Sequence, residues 1–174
     1  MRRIGIMGGT FNPIHIGHLI LAEWARDCLD LDEVWFIPTG GSYMKNSFEI
    51  LPGKERLYMT QLAVRDNPFF KCLDLEILRG GNTYSYETLE ELKSLWPEDA
   101  FFFLAGADCH FSIERWKYPE RLLNSCTFVA AVRGDAELSE MEKKKKELEQ
   151  RFCSGEGKIY LLHFVGLSIS SIQI

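Results

Sequence analysis

Near its start the chain reads Ile4-Gly5-Ile6-Met7-Gly8-Gly9-Thr10-Phe11-Asn12-Pro13-Ile14-His15-Ile16-Gly17-His18-Leu19. Ile4 to Met7 is a short apolar run of the kind that forms a buried strand. Gly8-Gly9 ends it, allowing a turn and a close approach of backbone to a ligand. Pro13 forbids an immediate return to regular hydrogen bonding. From about Ile16 the residues Leu19, Ile20, Ala22 and Trp24 begin a helix. This order aims unpaired N–H groups and the positive end of a helix at one point, a natural place for phosphate. His15 and His18, three apart around Gly17, project from one face of the helix entrance. Three readings stand for them: a pair facing an anion, helix caps or polar fillers, and a metal pair. The last lacks a nearby third ligand such as that of H-E-x-x-H.

Gly8-Gly9-Thr10-Phe11-Asn12-Pro13 followed by His15-x-Gly17-His18 resembles the G-x-F-[DN]-P-x-H-x-G-H signature of the nucleotidyltransferase superfamily. The chain is most similar to its bacterial nicotinate-nucleotide adenylyltransferases. Two other phosphate motifs are absent: no G-x-x-x-x-G-K-[ST] occurs, and Gly5, Gly8 and Gly9 do not fit G-x-G-x-x-G.

The 174 residues suggest a single domain spanning 1–174, with 46% apolar and 26% charged residues as in an ordinary globular protein. A formal charge of −5 argues against a general nucleic-acid binder, yet leaves room for a local cluster that takes anions. Cys28, Cys72, Cys109, Cys126 and Cys153 are scattered, odd in number and form no C-x-x-C. Buried thiols in a reducing cytoplasm are therefore expected, with neither a zinc site nor a disulfide framework. No signal peptide and no apolar run of membrane-spanning length is seen, so the expected location is cytoplasmic and off the membrane.

Outward from the opening motif, apolar strands alternate with helical stretches, which predicts a three-layer α/β fold with a mostly parallel sheet. The resemblance makes this the Rossmann-like nucleotidyltransferase fold. Strands are expected at Val34 to Ile37, Phe69 to Leu78, Phe101 to Leu104, Thr127 to Val132 and Lys158 to Val165. Helices are expected over Lys54 to Val64, Tyr86 to Leu95 and Glu137 to Phe152. Thr39 to Gly53 lacks periodicity and reads as a mobile surface loop. Phe101-Phe102-Phe103-Leu104-Ala105-Gly106 is the most apolar strand, hence central. It ends in glycine as the opening strand does, so the two tips should be neighbours at the switch point of the sheet. Lys143 to Lys146, flanked by glutamates, reads as a solvated helix face with i,i+4 pairs such as Glu142 with Lys146.

The resemblance assigns candidate roles. His15 and His18, the amides of Gly8, Gly9 and Thr10, and Phe11 would meet ATP. Gly106-Ala107-Asp108 through Trp116 resembles a G-A-D-x(7)-W block, which puts Gly106 and Asp108 at the ATP ribose and metal-phosphate region and stacks Trp116 on a pyridine ring. Taken alone, Asp108 is also a helix cap and Trp116 also a core residue. Thr83 and Tyr84 resemble a segment at the acceptor pocket, although Thr83 or Ser85 equally suits a helix cap. Lys45 matches a family lysine beside the mononucleotide, or is a solvated surface lysine. Arg133 matches an ATP-facing arginine, or neutralises Asp135. Ile169, Ser170 and Ser171 resemble the start of I-S-S-[ST]-x-I-R, which binds ATP phosphates. The arginine of that motif and the helix after it are not in this sequence. Two expectations follow: a chain that is part of a longer one, or an impaired enzyme.

The implied reaction is transfer of the adenylyl group of ATP to nicotinate mononucleotide, with Mg²⁺ carried on the ATP phosphates. A different phosphorylated acceptor (nicotinamide mononucleotide or pantetheine phosphate) and a nucleotide-binding regulator without catalysis are the alternatives.

Overall fold

The structure, a computed structural model, describes residues 1–41, 49–155 and 157–164. In chain order the elements are β1 (Arg3–Gly9), α1 (Ile16–Cys28), β2 (Glu33–Pro38), α2 (Gly53–Val64), β3 (Phe70–Cys72), α3 (Leu75–Arg79) and α4 (Ser85–Leu95). There follow β4 (Ala100–Ala105), α5 (Ala107–Ser112), a 3₁₀ turn (Ile113–Arg115), α6 (Pro119–Ser125), β5 (Thr127–Val132), α7 (Asp135–Phe152) and β6 (Ile159–His163). The strands form one sheet in the order β3-β2-β1-β4-β5-β6, and every pairing is parallel.

Alternation along the strands explains why they read as unbroken apolar runs. Phe101, Phe103 and Ala105 face one layer, with Leu89 and Leu92 of α4, Leu122 and Leu123 of α6, and Met141 and Leu148 of α7. Phe102 and Leu104 face the other, with Ala22 and Ala25 of α1 and Val64 of α2. Both faces of a parallel sheet are covered by its crossover helices, so neither can be polar. Among the described residues no helix is long and apolar enough to cross a membrane.

The chain winds outward through β1, β2 and β3, then returns to start again at β4 beside β1. The direction of winding reverses between β1 and β4, and the carboxyl ends of these strands carry Gly8-Gly9 and Gly106. That is where an open α/β sheet leaves a crevice for ligands, as the two glycine tips predicted.

Four expectations are corrected. Gly8-Gly9 does not end the opening strand: β1 runs on through Gly9, in register with Pro38 of β2, and the turn with positive φ falls at Phe11. The strand expected over Phe69 to Leu78 stops at Cys72, although the Leu73 amide still donates to the Phe36 carbonyl at 2.9 Å. From Asp74 the chain turns into α3, which buries Glu76 to 5% exposure where Thr83 and Thr88 donate to its two oxygens at 2.6 and 2.7 Å. A short apolar run carries no trace of such distant partners. On α7, Lys144 and Arg151 pair with Glu114 of the 3₁₀ turn at 2.7 and 2.8 Å, and with Glu147; among the described residues no ion pair joins Glu142 to Lys146. Of the five cysteines, all free, Cys126 is buried and its thiol pushed up to about 12 by desolvation, whereas Cys28 is exposed.

On the inward face of α5, His110 is fully buried, with Nε2 2.9 Å from the Met141 carbonyl and Nδ1 without a partner. Nε2 therefore donates and the ring is neutral. Burial pushes its pKa down, Lys144 and Lys145 push the same way, and the Met141 carbonyl partly opposes them. Unfolded, the ring binds a proton below about pH 6.5, while the folded ring resists it until lower pH. Stability should therefore fall as the pH drops below about 6.5, by at most about 1.4 kcal/mol per pH unit for this one group. Urea unfolding of wild type and His110→Gln from pH 7.5 to 5 checks this: the variant should lose less stability over that range.

Candidate active site

The turn after β1 is built by its own side chains. Phe11 adopts a positive φ of 49° and is 2% exposed, with its ring beneath Gly9, where a Cβ would sit 3.0 Å from the ring. Phe11 then meets His18 edge-on at 5.1 Å between ring centroids. His18 stands at the third position of α1 and His15 at its N-cap, with their rings 3.8 Å apart and tilted by 30°. The His15 backbone N–H donates to His18 Nδ1 at 3.2 Å. A neutral ring accepting at Nδ1 carries its proton on Nε2, so His18 is set as a donor through that atom. Gly17 makes room for the pair: a Cβ there would lie 3.0 Å from His15 Nδ1. Burial lowers the His15 pKa and favours its neutral form. The first turn of α1 contains no Asp or Glu, so its positive end is not offset by the chain's own carboxylates.

His18 lines a cavity of about 550 Å³ at the carboxyl edge of the sheet. Its wall also includes Gly8 and Gly9 from the end of β1, Thr10 and Phe11 from the turn after it, Gly106 and Asp108 from the start of α5, and Thr83 and Trp116. Nine candidates drawn from segments distant in sequence thus share one space. Asp108 is exposed in the first turn of α5, whose N-cap is Gly106, so Asp108 is not the cap. Trp116 is both core and wall: its ring packs edge-on against Phe103 and Phe128, and its Nε1 is buried without a partner. Around Gly106 a Cβ would meet nothing within 4 Å, so this tip leaves open space.

Other candidates stand apart. His15 backs His18 and is not in the cavity wall. Tyr84 is the N-cap of α4, with Lys117 Nζ 4.5 Å over its ring, and is also outside the wall. The cap role expected of Thr83 or Ser85 is not seen, since the α4 cap has no side-chain hydrogen bond. Arg133 is exposed beyond β5, outside the wall, and its backbone N–H donates to Glu137. Lys45, Ile169, Ser170 and Ser171 lie outside the described residues.

The wall also contains residues that motif reading missed. Thr39 places a buried hydroxyl without a partner there. Glu76 and Thr88 join Thr83 in the wall. A lone threonine after a strand, or a glutamate inside an apolar run, carries no sequence signal of such a place. Among the described residues no group of three or more His, Cys, Asp and Glu is arranged to hold a metal ion.

A doubly wound sheet with a histidine pair at a helix N-terminus beside a cavity at its switch point defines a nucleotide-handling α/β protein. The sequence profile of the cytidylyltransferase-like family matches residues 6–174. The chain is 40% identical over 171 residues to the probable nicotinate-nucleotide adenylyltransferase of Lachnoclostridium phytofermentans, covering 98% of this chain and 84% of that one. It is 42% identical over 171 residues to the probable nicotinate-nucleotide adenylyltransferase of Geotalea daltonii, covering 98% and 79%. The fold is shared with Plasmodium falciparum nicotinic acid mononucleotide adenylyltransferase complexed with NaAD, at a TM-score of 0.78 and 23% identity over 99% of this chain and 82% of that one. The chain belongs to the cytidylyltransferase-like family, and within it to the nicotinate-nucleotide adenylyltransferases.

Proposed function

We propose that this chain transfers the adenylyl group of ATP to nicotinate mononucleotide, giving deamido-NAD and pyrophosphate in NAD biosynthesis. A phosphate oxygen of the mononucleotide attacks the α-phosphorus of ATP. The bond from that phosphorus to the bridging oxygen breaks, and pyrophosphate leaves with the electron pair. The attacking oxygen is already ionised, so no side-chain base is needed. What the protein must supply is alignment of two anions and donors for charge that develops on phosphate oxygens.

The observation that carries this reading is the His15–His18 pair, with His18 set as an Nε2 donor beside the positive end of α1 in a cavity shared with Gly106 and Trp116. In it His18 meets the triphosphate, His15 fixes the tautomer and tilt of His18, and the Gly8, Gly9 and Thr10 amides add fixed partial charge. Phe11 supports the His18 ring. Gly106 and Asp108 border the ATP ribose, Thr83 borders the acceptor, and Trp116 offers its ring to the pyridine. Tyr84, Arg133, Lys45, Ile169, Ser170 and Ser171 are further candidates from the family pattern. Mg²⁺ arrives with ATP as part of the substrate; hard, oxygen-seeking Mg²⁺ is suited to a phosphate ligand set and needs no protein cage. We assign residues 1–174 to one domain acting in the cytoplasm.

Pyrophosphate release from ATP, measured side by side with nicotinate mononucleotide, nicotinamide mononucleotide and pantetheine phosphate, tests the assignment. Release should be fastest with nicotinate mononucleotide. Preference for another acceptor would change the substrate, and ATP binding with no release for any of them would make the chain a nucleotide-binding regulator.

A further inference from the structure

Arg56 lies in the first turns of α2, is 2% exposed, and does not line the cavity. Its guanidinium donates to three backbone carbonyls from three separate segments: Nε to Leu51 at 2.8 Å, Nη1 to Thr10 at 2.8 Å and Nη2 to Gly40 at 3.0 Å. Burial lowers its pKa, and the Glu76 charge partly offsets that. A buried cation is costly unless its donors are used, and here they are spent on main chain rather than on a carboxylate.

The three acceptors form the frame of the site. Thr10 belongs to the turn after β1, and Gly40 follows β2 beside the wall residue Gly41. Leu51 leads into α2. The same segments are linked a second time without Arg56. Asn12 accepts the Leu51 N–H and donates to the Glu49 carbonyl, both at 2.9 Å. The Thr39 N–H donates to the Gly9 carbonyl at 2.9 Å, and the Gly40 N–H to Thr83 Oγ1 at 3.3 Å. Among the described residues only the guanidinium reaches all three, because its planar fork presents several donors in fixed directions; a lysine ammonium is a single point on a flexible stem.

We infer that Arg56 is a positioning residue: from behind the cavity it fixes the spacing between the Gly9-Thr10 turn and the Gly40-Gly41 wall, and so the alignment of the two substrates. The kinetic part of this inference rests on the adenylyltransferase reading; the structural part does not. A misplacement of about 1 Å is enough to cost ~100-fold in rate.

The test compares Arg56→Lys and Arg56→Met with wild type by amide hydrogen exchange and by steady-state kinetics. In the lysine variant the Thr39, Gly40 and Leu51 amides should exchange at least ~10-fold faster, while the β4 amides of Phe102 and Phe103 keep their protection. With nicotinate mononucleotide saturating, kcat should fall about 100-fold in the methionine variant and less in the lysine variant, with the KM for ATP changed by a small factor. A folded variant with wild-type exchange and kinetics overturns the inference, and so does a rise in KM with kcat intact. Loss of protection across the whole sheet, or failure of both variants to fold, overturns it too, since Arg56 would then serve general stability. Wild-type protein inactive toward the mononucleotide would sink the functional reading instead, and the exchange experiment alone would then decide the role of Arg56.

Discussion

Replacing His18 with alanine is expected to lower kcat at least ~100-fold, the scale of losing one fixed donor aimed at developing negative charge. The fold should survive. Among the contacts that go are the hydrogen bond from the His15 N–H and the ring contacts to His15 and Phe11. One such bond is worth about 0.5–1.5 kcal/mol, and alanine returns a few tenths through its better helix propensity, about 0.5 kcal/mol. With the ring contacts, each worth about 0.5–1.5 kcal/mol, the loss should be about 1–3 kcal/mol, which leaves the chain folded. Kinetics and a urea melt on the same sample separate the two effects. If the donor acts in the transition state, kcat and kcat/KM fall together. A rate within a few-fold of wild type would remove His18 from the chemistry.

Gly40→Ala is expected to destabilise the fold. A Cβ at Gly40 would overlap the carbonyl oxygen of Glu76 and come within 3.0 Å of the Thr83 methyl. The oxygen cannot swing aside: it is α3 backbone and accepts the Gly80 N–H at 3.1 Å. Alanine gains about 0.4–1 kcal/mol by restricting the unfolded chain. Overpacking costs about 1–3 kcal/mol, so the clash wins. A net loss of about 2 kcal/mol corresponds to a melting temperature lower by roughly 4–8 °C for a chain of this size. Calorimetry reads it directly. An unchanged transition would mean that α3 moves away at no cost, contrary to the anchoring of Glu76 by Thr83 and Thr88.

Much of this architecture is legible in the chain. Strands buried on both faces show as Val34 to Ile37, Phe101 to Leu104 and Thr127 to Val132, and each is found within a residue or two. The spacing of His15, Gly17 and His18 locates the entrance of α1 and the stacked pair. Where reading fails, the cause is long-range. Nothing local in Leu73 to Leu78 reveals that Glu76 will be held by two threonines from beyond the next turn. Arg56 sits inside the expected helix with no local sign of what it holds. Its burial depends on carbonyls of Thr10 and Gly40, which any residue type could present. Thr39 is equally silent, since a free hydroxyl gains meaning only from the space around it. Glu114 takes Lys144 and Arg151 from a helix whose own glutamates looked like the natural partners.

The pairing of β1 with β4, Ile4 beside Phe101 and Ile6 beside Phe103, joins pieces of chain made at different times. The histidines come with the first piece; Gly106 and Trp116 come with the second. A fragment ending before Ala100 would own the phosphate-seeking turn yet have only half a crevice. Affinity is therefore a property of the docked halves, and a nucleotide seated across that seam works as a clasp, holding the two together in proportion to its occupancy.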